Sequence, residues 1–413
     1  MRKIKPIFFL VAVLFVSLSS AFAQHKVTCK IYLRSNVGTI QLWDGVVTRI
    51  FGFAPMLSAS PTIPGPTLFV NEGDTLVVHA YSISQNDHHS IHLHGLDADT
   101  QNDGDPSTSF MLSHGQDTTY TVICSHAGTY LYHCHVADVV HVQMGMYGMV
   151  IVRPADGGKT AWTGGPAYDQ AKHWLTSEID RSWHDGIPVE DTITHTIAIP
   201  PYRPDYFLVN GHSHQQLDED STRINGAVGE RIYLRVANIG FFDNRIIFPS
   251  SFHARIIDSD GRPLPMAVDA DTLETSPGER YGIMLTPDAE FNGSIPVHYI
   301  SMNTDSVWGV EEVPCLISGY FGVAEIKPRP KLSVQPNPFS DRIMVQCTSV
   351  LDPAARVIVR DILGREVNAA FTCFRNGDAF VLETKAVATG TYFFEVWSGG
   401  QRLIAKAVHR AHE

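Results

Sequence analysis

Histidines are concentrated in one part of this chain, together with a cysteine and two methionines. The 413-residue sequence contains 20 histidines, and ten of them lie between His79 and His141. Most of these belong to two stretches, HHSIHLHG over residues 88–95 and HCHVADVVHVQMGM over residues 133–146. Imidazole, thiolate and thioether groups are ligands of transition metals, so the two stretches predict a metal centre. A chance cluster of surface histidines is the alternative, and the repeated spacing argues against it.

The spacing of these residues assigns them to the two sides of a strand. Successive side chains of a β-strand point to opposite faces, so His133 and His135 share one face while Cys134 points to the other. His92 and His94 are also two residues apart and share a face. A strand of this kind can bind one metal through its cysteine and present two imidazoles to a second metal close behind it. This arrangement favours electron transfer from a mononuclear site to a cluster.

The ligand types indicate which metal is bound. One thiolate, two imidazoles and a distant thioether form the blue-copper ligand set, here His89, Cys134, His141 and Met146. Met144 is the competing thioether. Zinc is the alternative metal, but the methionine and the lack of a second cysteine in the two stretches disfavour it. The sequence therefore predicts a type 1 copper site.

Short β-type runs separated by Gly, Pro, Asn and Asp make up most of the chain. Examples are TLVVHA over residues 75–80 and RIYLRV over residues 231–236. Many short strands with frequent turns predict β-sandwiches or barrels. A Gly- and Pro-containing connector and a Lys/Pro linker divide the chain into three segments, residues 24–155, 168–326 and 332–413. The first two share an outline that indicates a duplicated sandwich.

The N-terminus and the charge indicate the compartment and exclude one class of partner. Residues 1–23 combine a basic start, an apolar run and Ala21-Phe22-Ala23, which predicts a cleaved secretory signal. A membrane anchor is the alternative, but the apolar run is short for a bilayer span. An exported chain can form disulfides, and Cys347 and Cys373 could pair. The formal charge of −12 argues against a nucleic-acid partner.

The first segment resembles the cupredoxin domains of multicopper oxidases and copper nitrite reductases. PGPTLFVNEGDTLVV over residues 64–78 is similar to opening strands of that family, and the two histidine stretches are similar to its ligand motifs. The resemblance implies a second, type 2/type 3 copper site held by His92, His94, His133 and His135. One departure is that five residues, rather than three, separate His135 from His141, while the spacing from His141 to Met146 is intact.

The second segment resembles the copper-free second domain of the same family, through stretches such as VNGHSHQQL over residues 209–217. The fold implied is all-β, with two cupredoxin-like Greek-key β-sandwiches followed by a small β-sandwich C-terminal domain. A full cluster in this family takes four histidines from each of two facing domains. The second segment should supply two HxH pairs but has one, His212 and His214, with His253 and His298 as single candidates. We therefore expect a homotrimer in which neighbouring chains complete the site.

Two enzyme types and one non-enzyme remain open. A nitrite reductase-like trimer would use His94, His133 and a neighbour's His298. That family carries Asp where this chain has His92 and no histidine where it has His135, so the resemblance favours an oxidase that reduces oxygen rather than nitrite. A non-catalytic cupredoxin that transfers electrons or binds copper is the third alternative.

The oxidase resemblance implies a route for electrons and protons. A small-molecule or metal-ion donor gives single electrons to type 1 copper, through the exposed edge of His141. Cys134, His133 and His135 then conduct each electron to the second site. Acidic residues after the first histidine stretch are candidates for proton relay or substrate contact: Asp97, Asp99, Asp103 and Asp105.

The third segment resembles the C-terminal sorting domain of the type IX secretion system. Its strands are separated by turns that contain Pro-Asn-Pro, Asp-x-x-Gly-Arg and Gly-Thr-Tyr, in residues 332–346, 357–367 and 390–410. The resemblance implies recognition by that secretion machinery, passage across the outer membrane, and release or attachment at the cell surface.

Overall fold

The chain folds into two compact units, Met1–Phe321 and Gly322–Glu413. The computed structural model describes residues 25–84, 87–187, 199–320, 332–347, 355–376, 379–385, 387–398 and 401–411. Among these residues, no helix combines the length and the apolar character needed to cross a bilayer. The predicted signal segment lies outside the described residues, so its interpretation stays a prediction.

The first unit begins with a β-sandwich that carries both histidine stretches. Its elements are β1 (Lys26–Gln41), β2 (Val47–Ala54), β3 (Leu68–Asn71), β4 (Thr75–Ser82), β5 (Asp117–Ile123), β6 (Gly128–His133), α1 (Asp138–Gln143) and β7 (Tyr147–Arg153). A four-stranded sheet has the order β2-β1-β4-β5, and a three-stranded sheet has the order β3-β7-β6. Apolar residues of both sheets, among them Leu76, Tyr120, Tyr132 and Val150, form one core.

The second sandwich follows in the same unit. Its elements are β8 (Gln170–Ile179), α2 (Arg181–Gly186), β9 (Tyr206–Val209), β10 (Ile224–Val228), β11 (Ile232–Asn238), β12 (Asp243–Ile247), β13 (Arg255–Ser259), β14 (Arg262–Asp269), β15 (Thr272–Thr275), β16 (Arg280–Leu285), β17 (Phe291–Ser301) and β18 (Ser306–Tyr320). The two sheets have the orders β10-β18-β17-β12-β15 and β14-β13-β16-β11-β8-β9. In both sheets some hydrogen-bonded neighbours, such as β10 and β18, are far apart in sequence. Greek-key connections produce neighbours of this kind.

A separate apolar cluster joins the two sandwiches. Leu131 and Met149 of the first sandwich pack with Leu175 and Leu208 of the second. The hydroxyl of Tyr147 donates a hydrogen bond of 2.8 Å to Ser177 Oγ at the same place. Because this contact is apolar and buried, the second sandwich is held against the face of the first that carries β6 and the histidines.

The second unit is a small β-sandwich, as the sequence predicts. Its elements are β19 (Leu332–Gln335), β20 (Arg342–Cys347), β21 (Arg356–Asp361), β22 (Phe371–Asn376), β23 (Ala379–Thr384), β24 (Gly390–Ser398) and β25 (Gln401–His409). The sheets have the orders β19-β20-β23-β22 and β21-β24-β25. Phe339, Phe371 and Phe394 lie in its own core.

The suggested pairing of Cys347 with Cys373 is wrong. Cys373 is in register with Leu382, which is in register with Ile343 on the next strand. Cys347 lies four residues further along that strand, so the two cysteines are separated by two strand spacings and several residue rises. A disulfide needs Cα atoms within about 7 Å of each other, and this register does not allow it.

Candidate metal centre

His89, Cys134 and His141 converge in the interior of the first sandwich. All three are fully buried, and their ligand atoms lie within 4.8 Å of one another. The distance from Cys134 Sγ to Nδ1 is 3.7 Å for His89 and 3.2 Å for His141. One sulfur and two ring nitrogens therefore face a common point that solvent does not reach.

Backbone hydrogen bonds hold the loop that follows β6 around this point. The Cys134 N–H donates to the carbonyl of Met146, and the Met146 N–H donates to the carbonyl of His141, both at 3.0 Å. The longer spacing between His135 and His141 is accommodated by α1, which begins after Ala137 in the left-handed region at φ 43°. Met146 is thus tied directly to both residues, whereas Met144 accepts a backbone hydrogen bond from Phe51.

Asp87 fixes the orientation of the His141 ring. His141 Nε2 lies 2.9 Å from Asp87 Oδ2, and the two side chains are 0% and 1% exposed. When Nε2–H donates to this carboxylate, Nδ1 keeps its lone pair directed at Cys134. The prediction that donors reach an exposed edge of His141 is therefore wrong, since the whole ring is buried behind Asp87.

The histidines of this first cluster have opposite acid–base properties. Burial lowers the pKa of His89 to about 3, so its ring is neutral. Burial also acts to lower the pKa of His141, but its interactions with Cys134 and with the Asp87 carboxylate outweigh it and raise that pKa to about 10. A metal that binds His141 would therefore compete with a proton for the ring.

A second cluster lies on the other side of Cys134. Ligand atoms of His92, His94 and His133 lie within 4.8 Å of one another, with His94 Nδ1 3.3 Å from His133 Nε2. His135 lies beside this group, with its ring centroid 5.0 Å from that of His92 and 5.8 Å from that of His133. The predicted division of residues 133–135 between two faces matches this geometry. The Cys134 side chain reaches the first cluster, whereas His133 belongs to the second cluster and His135 lies beside it.

Backbone carbonyls set the tautomers of the second cluster. His133 Nδ1 lies 2.9 Å from the Cys134 carbonyl oxygen, and His92 Nδ1 lies 2.7 Å from that of Asp103. Each ring donates from Nδ1, which leaves Nε2 as the acceptor atom, and in His133 that atom faces His94 Nδ1 at 3.3 Å. Burial lowers the pKa of His133 to about 3 and, together with the nearby Arg280, lowers that of His94 to about 4. The rings of His133 and His94 are therefore neutral near pH 7 and can act as ligands.

HLHG is not a regular strand. A single antiparallel bridge joins His92 to His133, and Gly95 follows at φ +85°. A Cβ at Gly95 would lie 2.3 Å from the guanidinium Nη2 of Arg280, so glycine is required both by the backbone conformation and by this close approach.

Among the described residues, the second sandwich contributes Arg280 and Gly278 next to this cluster in the same chain. The Arg280 guanidinium donates a hydrogen bond of 2.7 Å to the Gly278 carbonyl and pairs with Asp260 at 2.9 Å. A Cβ at Gly278 would lie 3.3 Å from His94 Cε1. This part of the second sandwich thus fills the space beside His94 within one chain.

The candidate histidines of the second segment lie elsewhere. In the described part of the chain, none of them joins His92, His94 and His133. His298 is on β17 in register with Arg245 and Val310, and His253 pairs with Asp288 at 2.7 Å. His214 stacks on Trp43. Whether His298 serves a neighbouring chain stays a prediction.

One of the four acidic relay candidates contacts a cluster histidine. Asp103 Oδ1 lies 3.3 Å from His92 Nδ1. The other three have local partners, Arg262 and His126 for Asp97, Asn102 for Asp99, and Ser107 for Asp105.

Sequence reasoning missed Asp87 and Arg280. Asp87 lies two residues before His89, and this proximity was its only signal in the sequence. Arg280 is 186 residues from His94 along the chain, so nothing local could have indicated it.

Comparisons with known proteins agree with this geometry. Two family models described as multicopper oxidase match residues 52–157 and 168–306, more than half of the chain. A model described as a secretion system C-terminal sorting domain matches residues 333–410.

Individual relatives include both enzyme types. Laccase-20 of Oryza sativa subsp. indica is 27% identical over 61% of this chain and 42% of its own length. The copper-containing nitrite reductase of Neisseria meningitidis is 27% identical over 52% of this chain and 50% of its own. The crystal structure of a blue copper oxidase from Nitrosomonas europaea superposes with a TM-score of 0.56, at 25% identity over 71% of this chain and 86% of that one. The chain spans half or less of these two curated relatives.

The fold and the two clusters define a protein of the cupredoxin class with a C-terminal sorting domain. The chain belongs to the multicopper oxidase family, to which copper nitrite reductases are related. Membership of this family implies copper as the cofactor.

Proposed function

We propose that this chain is an exported copper-dependent oxidoreductase that accepts single electrons at one copper site and delivers them to a second copper site that reduces oxygen. The observation that carries the proposal is the position of Cys134. Its side chain belongs to the first cluster, while its backbone neighbours His133 and His135 belong to the second cluster or lie beside it.

The donor set of the first cluster fits copper. One sulfur and two imidazole nitrogens converge at a point without solvent, which suits a metal that cycles between two oxidation states. We assign His89, Cys134, His141 and the thioether of Met146 as the groups that would hold copper. Copper held there would supply the one-electron chemistry.

The second site is assigned to His92, His94, His133 and His135. Imidazoles with their Nδ1–H groups directed at carbonyl oxygens, as in His92 and His133, fit a copper ion on the Nε2 side. Asp103, which contacts His92, is placed to hold or pass a proton at that ring. Four histidines are half the number that a full cluster takes, so we propose that a homotrimer completes the site, with His298 of an adjacent chain as the candidate ligand.

Oxygen is favoured over nitrite as the acceptor. His92 and His135 both lie at the second cluster, and neither belongs to the nitrite reductase pattern. The nitrite reductase remains the second candidate, because its two expected ligands from this chain lie together, with His94 Nδ1 3.3 Å from His133 Nε2.

The match to a sorting domain supports a location of this chemistry outside the cell. Residues 333–410 match a secretion system sorting domain, and residues 1–23 carry the predicted signal. We propose release from the cell or attachment to its surface, where donors in the medium are accessible. The donor is proposed to be a small molecule or a metal ion.

The decisive experiment measures copper per chain together with visible and EPR spectra. A type 1 signal with type 2 and type 3 copper, and oxygen uptake on a reducing donor, supports the oxidase. Two coppers per chain with a type 2 signal and nitrite turnover support the reductase. One copper per chain without turnover of oxygen or nitrite contradicts both enzymes and leaves an electron carrier.

A pair of cysteine variants tests the ligand assignment. Cys134→Ser should abolish the blue absorption band. Cys124→Ser is the matched control, because Cys124 is equally buried in the same core but lies outside both clusters. Loss of the band in the control, or its persistence in Cys134→Ser, contradicts the assignment.

The trimer is tested by light scattering of the copper-loaded protein. His298→Ala should keep the blue band and lose the type 2 signal. A monomer with both copper signals intact would contradict completion of the site between chains.

A further inference from the structure

A surface pocket of about 500 Å³ lies where residues of both sandwiches of the first unit meet. Its lining includes four aromatic residues, Trp43, Tyr206, Phe207 and Trp308. The two tryptophans are 37% and 43% exposed. We refer to this site as the aromatic pocket. Large aromatic surfaces left partly open to solvent are typical of ligand sites.

One wall of the aromatic pocket is held rigidly. The rings of Trp43 and His214 stack with centroids 4.1 Å apart and an interplanar angle of 8°. Glu311, only 2% exposed, accepts a hydrogen bond of 2.7 Å from the His214 N–H, and its other oxygen lies 3.3 Å from His214 Nδ1. The pocket is therefore preformed, which reduces the entropy that a ligand loses on binding.

The charges in the aromatic pocket favour a cation. Three acidic side chains line it, those of Asp44, Asp205 and Glu311. Burial raises the pKa of Glu311 to about 7, so Glu311 contributes only part of a negative charge near neutral pH. Arg181 also lines it, but its guanidinium pairs with Asp185 at 3.3 Å. Aromatic faces also attract cations. A planar molecule with an ammonium group matches both features, whereas an aromatic carboxylate would be repelled.

Aromatic side chains connect the aromatic pocket with the first cluster. The ring centroids of Trp308 and Phe242 are 5.4 Å apart, and those of Phe242 and Tyr202 are 5.9 Å apart. Gln143 Nε2 donates a hydrogen bond of 3.1 Å to the Tyr202 hydroxyl. Gln143 is the last residue of α1, two residues after His141.

The burial of His141 means that electrons need another point of entry. A donor cannot contact that ring, because the ring is fully buried and its Nε2 faces Asp87. Electrons must therefore enter at a residue that reaches the surface. Trp308 does so at one end of the chain of rings just described, and Tyr202 contacts the loop of the first cluster at the other.

We propose that the aromatic pocket binds a cationic aromatic electron donor, such as a phenol that carries an ammonium group, and that Phe242 and Tyr202 bridge it to the first cluster. The proposal rests on the proposed function. In each transfer the bound phenol loses one electron and its phenolic proton. The electron reduces one cupric ion at the first cluster, and the proton leaves to solvent at the open side of the pocket. The bridging residues end unchanged.

Binding is tested on the copper-free full chain by isothermal titration calorimetry. Tyramine and 4-hydroxyphenylacetate are the probes, because they share a phenol and carry opposite charges. Tyramine should bind about tenfold more tightly than 4-hydroxyphenylacetate. Trp308→Leu should weaken tyramine binding about tenfold, while Trp397→Leu, a similarly exposed tryptophan of the second unit, should not. Equal binding of the two probes, or unchanged tyramine binding in Trp308→Leu, overturns the proposal.

Electron entry is tested by anaerobic stopped-flow bleaching of the blue band. Trp308→Leu and Tyr202→Leu should slow bleaching by tyramine about tenfold or more. Trp397→Leu should bleach at the wild-type rate. Because Tyr202 is partly buried against the core and its variant can misfold, Trp308→Leu at the surface decides the result. Bleaching of Trp308→Leu at the wild-type rate overturns the proposal. If the wild type shows no blue band, the proposed function is contradicted instead. Calorimetry would still test whether the aromatic pocket binds tyramine.

Discussion

Three consecutive residues, His133, Cys134 and His135, connect the two clusters of this protein. The sulfur of Cys134 lies 3.2 Å from His141 Nδ1, and His133 Nε2 lies 3.3 Å from His94. Burial lowers the pKa values of His89 and His133 to about 3 and thus keeps both rings neutral. Neutral rings with fixed tautomers are ready to bind metal without further rearrangement.

Asp87 is expected to govern metal affinity through His141. Asp87→Asn removes the carboxylate charge that stabilises the ring orientation, so copper affinity should fall about tenfold to a hundredfold. The pKa of His141 should fall as well, because Asp87 contributes to raising it. Copper affinity is measured by competition with a chelator, and the blue band reports the site geometry.

Asp99→Asn is the control for this variant. Asp99 is exposed and hydrogen-bonds to Asn102 on the same loop. Wild-type copper affinity in Asp87→Asn would show that the carboxylate does not position His141.

At the scale of elements, two short helices enclose the first cluster. α1 carries His141, and α2 packs near it through His184. The ring nitrogens of His184 lie 2.6 Å from the Arg49 carbonyl oxygen on β2 and 2.9 Å from the Gln143 carbonyl oxygen. His184 thus links an edge of the first sheet to the loop that holds the metal ligands.

His184→Ala should loosen this link. The variant leaves a cavity and removes hydrogen bonds at a fully buried position, which typically costs about 2–4 kcal/mol. We expect a lower midpoint in urea unfolding and a broadened blue band. His253→Ala, at an exposed ion pair with Asp288, should change stability by less than about 0.5 kcal/mol. Equal stabilities of the two variants would contradict the role of His184.

At the scale of the whole molecule, a buried acid makes stability depend on pH. Glu178 is 2% exposed and accepts hydrogen bonds from the Phe241 N–H at 2.8 Å and the Tyr202 hydroxyl at 3.2 Å. Burial raises its pKa to about 7, from 4.5. Between these values the folded state binds more protons than the unfolded state, so stability falls as pH rises through this window.

Glu178→Gln should remove this part of the pH dependence. Between pH 4.5 and 8 the free energy of unfolding of the wild type should fall by on the order of 3 kcal/mol more than that of the variant. Urea unfolding at a series of pH values measures the difference. Glu274→Gln, at an exposed position, should keep the wild-type dependence of stability on pH. The same dependence in Glu178→Gln would show that Glu178 is not the group responsible.

The sorting domain is expected to be dispensable for copper binding. The first unit has its own cores, and Phe339, Phe371 and Phe394 belong to a separate core in the second. A chain that ends at Tyr320 should therefore fold and show the wild-type blue band. Loss of the band in a folded truncated protein, judged by circular dichroism, would contradict this independence.

The sequence by itself determined the all-β fold and the residues of both clusters. The spacing of His133, Cys134 and His135 was enough to predict their division between two clusters, although β6 ends at His133 and the other two residues lie just beyond it. The tertiary structure decided what surrounds those residues. Asp87 buries the edge of His141. Arg280 lies beside His94, where the family resemblance predicts a histidine of the second sandwich. Such contacts join residues that are 54 and 186 positions apart, and only the packing of sheets and sandwiches brings them together.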